Sequence, residues 1–271
     1  MKESSTKFNE GGLTFDSKYT TMYLTQCGGT NGKTQRCHIY ELKKQGEDWA
    51  ITDMVDFCKA DSSHNYGHHT LSNDGTQLFF SSDREGGLGG FDIWVVSYSK
   101  RSKSWGDPVN LGPTINTTGD EYWPSINPHN GKLYFSTNGR PGLGGTDIYI
   151  ATPTEDITVW DEVENALPPM NSSGDDFGVT FLGNNPNHGF FTSNRGEKRF
   201  NDDIYEFDVK PLVLTLSGTV TDCNTKEPLP GATITITNDK DTSVKVFKAD
   251  PLGQYNMVLA ENTRYQITCK Y

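Results

Sequence analysis

One phrase recurs along this chain at a spacing of about 55 residues. It opens with Phe-Ser or Phe-Thr, passes through a loop, and ends in an Asp-Ile-aromatic triplet. The triplets begin at Asp92, Asp147 and Asp203, and a fainter copy reads His38-Ile39-Tyr40. A period of this length, with only strand and turn signals inside each copy, is typical of β-propeller blades. The sequence therefore predicts an all-β fold with a β-propeller of four sequence repeats, numbered here 1 to 4.

Each repeat carries the signals of four strands. Asn73-Asp74-Gly75 in repeat 2 and Asn130-Gly131 in repeat 3 separate short β-prone runs. Such turns predict hairpins because glycine adopts positive φ without a steric cost. The triplet opens a third strand, and a segment with a recurrent tryptophan closes the unit. These tryptophans are Trp49, Trp105 and Trp160. We predict four blades of four antiparallel strands between residues 8 and 210.

The pattern changes after Pro211. Residues 212–271 alternate apolar and polar positions with a period of two, as in Leu212–Leu216 and Thr233–Thr237. This alternation is typical of strands with one buried face. We therefore predict a small β-sandwich as a second domain. Because its last strand runs into Tyr271, we expect that this domain is cut short and continues in a longer protein.

Composition narrows the choice of partners. The chain has 24 Lys and Arg against 35 Asp and Glu, a formal net charge of −11. This charge repels phosphate backbones, so we expect no nucleic-acid partner. No stretch approaches the roughly 20 apolar residues of a membrane-spanning helix, and Met1–Ser5 lack the apolar core of a signal peptide. We therefore expect no membrane insertion.

Two sets of motifs resemble known families. Leu133–Asn138, with the Gly-Leu-Gly-Gly loop, the Asp-Ile-Tyr triplet and residues 112–121, looks like the PD40 (WD40-like) propeller repeats of Bacteroidetes OmpA-family proteins. In the tail, Gly218–Asp222, Pro228–Ala232 and Asp250–Tyr255 resemble the carboxypeptidase regulatory-like domain, a transthyretin-like β-sandwich.

The resemblance implies a location and a class of partners. The order of domains is similar to that of a periplasmic component of the type IX secretion system, in which an OmpA-like domain binds peptidoglycan. It implies a periplasmic, outer-membrane-associated protein whose partners are envelope proteins. No OmpA-like domain lies within these 271 residues, so peptidoglycan anchoring would belong to a domain outside them. Repeat 1 departs from the family pattern because Cys37-His38 stands where the loop and its aspartate are expected.

The aspartates that open the triplets allow two interpretations. They could ligate a metal, or they could accept hydrogen bonds from backbone N–H groups of their own glycine-rich loops and pair with nearby arginines. We favour the second interpretation. The residues concerned are Asp92, Asp147 and Asp203 with Arg84, Arg140 and Arg195. The loop of residues 86–90 is similar to a phosphate-binding turn, but no helix follows it, so we expect no nucleotide.

The densest histidine group is His64, His68 and His69. In the repeat alignment, His68 and His69 fall where Trp123 and Pro124 stand in repeat 3, on the innermost strand near the channel mouth. A zinc site needs three or four ligands in a closed geometry. We therefore favour packed or solvated histidines over zinc ligands.

Acidic residues also align near the start of the innermost strand. They are Glu10, Glu121 and Asp176, and Tyr66 replaces the acid in repeat 2. Convergent carboxylates at one end of a channel could bind Ca²⁺ or a cationic side chain. The alternative, which we favour, is that each carboxylate caps its own loop.

The five cysteines allow two disulfides and one free thiol. Cys27 and Cys37 flank the loop of repeat 1 that replaces the glycine-rich loop, while Cys223 and Cys269 lie near the ends of the first and last predicted strands of the sandwich. An oxidising periplasm would permit both bonds and leave Cys58 free. The alternative is that all five are reduced thiols.

No sequence pattern points to catalysis. The chain has no Gly-x-Ser-x-Gly elbow and no His-Glu-x-x-His motif, so we expect neither an enzyme nor a cofactor. We favour a non-enzymatic scaffold whose propeller links envelope proteins. A second hypothesis is that the channel binds a glycan or a peptide, with Tyr122, Trp123 and Phe177 lining its mouth.

Overall fold

The chain folds into two compact units, Met1–Val209 and Lys210–Tyr271. The computed structural model describes residues 9–28, 36–182, 185–196, 201–210, 213–260 and 263–271. Both units are built from β-strands, and the single helix within these ranges is α1, Asp56–Ala60. No described helix has the length and apolar character needed to span a membrane. The predicted all-β class is confirmed.

Repeats 1 and 2 each form an antiparallel sheet whose strands follow chain order. Repeat 1 consists of β1 (Asn9–Phe15), β2 (Thr21–Gly28), β3 (Arg36–Gln45) and β4 (Asp48–Met54). Repeat 2 consists of β5 (Tyr66–Leu71), β6 (Gln77–Ser82), β7 (Asp92–Ser99), β8 (Ser104–Trp105) and β9 (Val109–Asn110). The outermost strand of repeat 2 is split, because β8 and β9 both pair with β7.

Repeat 4 is smaller than repeat 3. Repeat 3 consists of β10 (Glu121–Ile126), β11 (Leu133–Thr137), β12 (Asp147–Pro153) and β13 (Trp160–Asn165). Repeat 4 consists of β14 (Asp176–Phe181), β15 (His188–Ser193) and β16 (Asp203–Asp208). For the described residues, the prediction of four strands in every repeat is therefore wrong for repeat 4. After β16 the chain leads directly into the second unit.

The innermost strands lie side by side and order the four sheets. β1 contacts β5, β5 contacts β10, and β10 contacts β14. The structure does not show the four repeats closing into a ring. The predicted β-propeller is thus confirmed in its coarser form, as a propeller-like series of sheets.

Apolar side chains from neighbouring repeats form the cores of the first unit. Trp105 of repeat 2 packs edge-on against Tyr23 of repeat 1, with ring centroids 5.9 Å apart. Trp160 of repeat 3 packs against Phe79 of repeat 2, with ring centroids 6.1 Å apart. Both tryptophans are buried. The recurrent tryptophan of one repeat therefore covers the sheet of the preceding repeat.

The second unit contains two small sheets. One pairs β17 (Leu214–Thr219) with β20 (Gln254–Leu259). The other has β18 (Thr233–Asn238) between β19 (Val244–Lys248) and β21 (Tyr265–Lys270). Ile234 and Ile236 of β18 are buried, because the period-two alternation of Thr and Ile puts both isoleucines on one face.

Replacing Trp160 by alanine is expected to destabilise the first unit by about 3–5 kcal/mol, because a buried indole and its contact with Phe79 are lost. The matched control is Trp49→Ala, at the equivalent but only half-buried residue of repeat 1, which should cost clearly less. Urea unfolding followed by far-UV circular dichroism measures both. Equal losses would contradict the covering role of Trp160.

Candidate functional site

The aspartate of the repeat 2 triplet fastens the glycine-rich loop to its strand. Asp92 is buried at the start of β7, and its carboxylate accepts hydrogen bonds from the backbone N–H of Leu88 at 2.6 Å and of Gly89 at 3.1 Å. The side-chain amide of Asn110, in β9, donates a third hydrogen bond at 2.8 Å. The loop, the third strand and the outer strand therefore meet at one carboxylate.

Asp147 has the same position in repeat 3. Its carboxylate accepts hydrogen bonds from the backbone N–H of Leu143 at 3.2 Å and of Gly144 at 3.0 Å. A Cβ atom at Gly142 would collide with this carboxylate, so the loop needs glycine there. Asp203, the equivalent residue of repeat 4, is exposed, and residues 197–200 of its loop lie outside the described residues.

The three arginines stack on the aromatic residue of the triplet. The distances from guanidinium carbon to ring centroid are 4.7 Å for Arg84–Trp94, 5.7 Å for Arg140–Tyr149 and 4.9 Å for Arg195–Tyr205. Cation–π contacts of this kind are favourable within about 6 Å. The structure thus differs from the predicted pairing of these arginines with Asp92, Asp147 and Asp203. The carboxylates of Asp92 and Asp147 accept hydrogen bonds from loop N–H groups, and each guanidinium lies over the adjacent aromatic ring.

Glu121 caps its own loop. This residue is fully buried at the start of β10. Its carboxylate accepts hydrogen bonds from the N–H and the hydroxyl of Thr117, at 2.9 Å and 2.7 Å. The hydroxyl of Thr137, in β11, donates another at 2.6 Å.

Asp176 plays the equivalent part in repeat 4. It accepts a hydrogen bond from the N–H of Ser172 at 2.6 Å and forms an ion pair with Arg195 at 2.6 Å. The carboxylate is fully buried, so the guanidinium supplies the charge that offsets its desolvation.

A Ca²⁺ site of Glu10, Glu121 and Asp176 is the less favoured of the two interpretations of these aligned acids, and the hydrogen bonds of Glu121 and Asp176 bear on it. Within the described ranges, no three His, Cys, Asp or Glu side chains are grouped so that they could hold a metal ion. The carboxylates of Glu121 and Asp176 are instead occupied inside their own repeats. In repeat 2, the hydroxyl of Tyr66 donates to Asp61 at 3.0 Å. The structure therefore does not form that site.

Each innermost strand carries a β-bulge with one residue at positive φ. These residues are Gly12 (φ +55°), His68 (φ +47°), Trp123 (φ +54°) and Gly178 (φ +68°). Glycine adopts this conformation without a steric cost, whereas histidine and tryptophan do so rarely. Repeats 2 and 3 hold a ring where repeats 1 and 4 have no side chain. Backbone strain of this kind concentrates at functional sites.

The rings at this level form what we call the inner aromatic row: His68, Phe91, Tyr122, Trp123 and Phe177. The His68 and Trp123 rings lie 3.8 Å apart between centroids, at an interplanar angle of 30°. Trp123 stacks on Phe177 at 5.5 Å. Tyr122 meets His68 edge-on at 5.5 Å and Phe91 at 5.1 Å. The row unites the three aromatic residues that the sequence placed at the channel mouth.

The sequence placed His68 near the channel mouth as a packed or solvated residue, but it did not indicate Phe91 as a member of the row. The alignment of His68 with Trp123 was a usable signal for the histidine. Nothing in the sequence marked Phe91, which reaches Tyr122 only through the tertiary fold. Burial, followed by the negative charge of Asp120, raises the pKa of Tyr122 to about 12, so its hydroxyl is neutral at physiological pH.

A cavity of about 340 Å³ lies beside the row. Its lining is mainly apolar and comes from the first three repeats: Asn9–Gly12, Thr25, Cys27, Cys37, Asn65–His68, Phe91 and Trp123. Bare glycine backbone at Gly11, Gly12 and Gly67 leaves the space open. The volume is at the small end of ligand pockets and suits one ring or one large side chain.

His68, which lines this cavity, and the adjacent His69 are neutral at physiological pH. Burial lowers the pKa of both His68 and His69 to about 4. His69 Nδ1 shares a hydrogen bond with the Thr25 hydroxyl of repeat 1 at 3.2 Å. His68 Nδ1 is buried and has no hydrogen-bond partner in the described part of the chain. His64 lies 2.9 Å from Asp61, to which it is hydrogen-bonded.

One disulfide is present among the described residues. It joins Cys27 and Cys37, which face each other across β2 and β3. Cys58 is a buried free thiol, and burial raises its pKa to about 12. Cys223 and Cys269 are exposed and unbonded, so the predicted second disulfide is wrong. Cys269 lies in β21 beside β18, whereas Cys223 follows β17 of the other sheet.

Comparison with known proteins gives a family match for the second unit and weak structural similarities for the chain. Residues 215–271 match the family model of the carboxypeptidase regulatory-like domain. No curated protein sequence matches the chain. The chain is similar to TolB from Acinetobacter baumannii, with a TM-score of 0.48 and 10% identity over 98% of this chain and 58% of that chain.

Two enzymes show a similar likeness. An endo-arabinase from Bacteroides thetaiotaomicron matches with a TM-score of 0.47 and 15% identity over 71% of this chain and 72% of that chain. Prolyl oligopeptidase B from Galerina marginata matches with a TM-score of 0.44 and 13% identity, and the chain spans only 35% of its length. Neither catalysis nor scaffolding follows from these likenesses.

Asp147→Ala is expected to lower the free energy of unfolding by roughly 1–3 kcal/mol, because the N–H groups of Leu143 and Gly144 lose their acceptor. Asp203→Ala, at the exposed equivalent, is the matched control and should change stability by less than about 0.5 kcal/mol. Urea unfolding measures both changes. A loss at residue 203 as large as that at residue 147 would overturn the assigned role of the carboxylate.

Stability should fall in mild acid. His69 has a pKa of about 4 in the fold, below the usual value of 6.5, so the unfolded chain binds the proton first. The contribution of neutral His69 to the free energy of unfolding is complete above about pH 6.5. It is lost progressively toward pH 4, by roughly 1 kcal/mol per pH unit. Urea unfolding between pH 7 and 4.5 should show a shallower slope in His69→Asn than in the wild type. Identical slopes would contradict the role of this histidine.

Proposed function

We propose that the chain is a non-enzymatic adaptor of the periplasm, associated with the outer membrane, whose first unit docks envelope proteins. The observation that supports the proposal is that the buried charged side chains form hydrogen bonds and an ion pair inside the repeats. Asp92, Asp147, Glu121, Asp176 and Arg195 are all bonded within their own repeats. These charged side chains, which are the ones best suited to catalysis, thus stabilise the fold of their repeats. The sheet edges and loops remain available for binding a partner.

The order of the two units supports a place in the cell envelope. A carboxypeptidase regulatory-like domain follows repeats that resemble PD40 repeats. This order is similar to that of PorE, a component of the type IX secretion system. On this proposal the partners are outer-membrane or lipoprotein components of such an apparatus. Peptidoglycan is held by a domain outside this chain.

Charge sets the kind of partner surface. A net charge of −11 favours a partner that presents a basic patch. A stable contact between two proteins buries on the order of 1,200–2,000 Å². Attraction of this kind accelerates association at low ionic strength and is screened by salt.

A pull-down from envelope extracts tests the proposal. The immobilised chain is expected to retain an envelope protein, and the association rate of that protein should fall as sodium chloride rises, because screening weakens steering. A peptidoglycan sedimentation assay run in parallel should leave the chain in the supernatant. Strong co-sedimentation, or retention of no envelope protein, would refute the adaptor function.

A second candidate function is favoured by the inner aromatic row and its cavity. Stacked rings beside a cavity of about 340 Å³ suit a sugar ring or an apolar side chain of a peptide. A saccharide and peptide array should then yield a ligand whose binding is lost in Trp123→Ala and kept in Trp49→Ala. An array without such a ligand would leave the adaptor function as the sole candidate.

A further inference from the structure

In repeats 1 to 3 the isoleucine of the triplet is covered by the following repeat, whereas in repeat 4 it is exposed. Ile39, Ile93 and Ile148 are each 0% exposed. Ile148 of repeat 3 belongs to an apolar cluster with Met170 and with residues of repeat 4. The equivalent Ile204 is 77% exposed. Repeat 4 therefore ends the series with a face that its three predecessors bury.

The other end of the series exposes the complementary surface. In the innermost strands, the residue after the bulge is buried in repeats 2, 3 and 4, where it is His69, Pro124 and Val179. The equivalent residue of repeat 1 is Leu13, which is 54% exposed. In repeats 2 and 4 the residue at this position contacts the preceding repeat.

Two contacts establish the direction in which these positions face. Val179 of repeat 4 shares one apolar cluster with Ile148 of repeat 3. His69 of repeat 2 is hydrogen-bonded to Thr25 of repeat 1. Leu13 and the isoleucine at residue 204 are therefore the two halves of one repeat-to-repeat contact, held at opposite ends of the same unit.

We propose that a second copy of this chain covers these faces, with Leu13 of one copy packed against Ile204 of the other. The contact would have the geometry that already joins repeats 3 and 4. A reciprocal pair would place eight repeats in one series, a number within the range of propeller blades. Both halves of the contact are present in each copy, so the association is self-complementary.

Charge separates this inference from the adaptor function. Two copies each carry −11 and repel one another, so their association should strengthen as salt screens the charges. Binding of a partner with a basic patch should weaken under the same change. The two proposals can therefore fail independently, and the same salt series distinguishes them.

Sedimentation velocity of the whole chain in high salt tests the inference. The wild type should form a dimer, and Leu13→Asp or Ile204→Asp should each raise its dissociation constant by roughly 10- to 100-fold. Val159→Asp is the matched control, because Val159 is 50% exposed and the pocket that it lines is formed by residues of repeats 2 and 3. Far-UV circular dichroism checks that each variant keeps the fold.

Mixing the two variants makes the test specific. Leu13→Asp retains the isoleucine at residue 204, and Ile204→Asp retains the leucine at residue 13, so a one-to-one mixture restores one intact contact. We expect the mixture to dimerise at a protein concentration at which each variant alone remains monomeric. A wild type that is monomeric at every concentration and salt, a dimer that survives both substitutions, or equal disruption by Val159→Asp would overturn the inference.

Discussion

The packing of each sheet against the next is the interaction on which the first unit depends. A short four-stranded sheet has two faces and cannot bury both alone, so each repeat is stable only beside a neighbour. Ile93 and Ile148 are buried because the following repeat lies over them, and Trp105 and Trp160 cover the preceding sheet from its outer side. Ile204 has the same place in its sheet and is exposed. Whether the isoleucine of a repeat is buried therefore depends on a neighbouring repeat that covers it and not on the residue itself.

Polar groups make the contact between repeats directional. The side chains of Asn116 and Asn171 each bond to both the N–H and the C=O of a triplet isoleucine, at 2.8–2.9 Å. Apolar packing alone would allow neighbouring sheets to slide, whereas these paired hydrogen bonds fix the register. Asp92 and Asp147 hold the loops that surround the same isoleucines. The most repeated residues of the sequence thus account for how the sheets are joined.

In the inner aromatic row, the same β-bulge is occupied by different residue types in different repeats. The bulge and its positive φ recur in all four repeats, with glycine in the first and last. In the middle two, His68 and Trp123 accept the same strained conformation and stack at 3.8 Å. The stacking offsets part of the backbone strain. Rings about 55 residues apart in the chain meet there because the innermost strands are neighbours.

The sequence by itself determined the all-β class, the repeat, the hairpin turns at Gly75 and Gly131 and the carboxypeptidase regulatory-like character of the tail, because strand alternation and turn chemistry are local. It did not determine that Arg195 stacks on Tyr205 and forms an ion pair with Asp176. Nor did it determine that Cys223 and Cys269 are unbonded, or that repeat 4 has three described strands. Those outcomes depend on which faces and loops meet in space. The tertiary structure alone decided them, because similar sequence repeats have different neighbours in the middle and at the ends of the series.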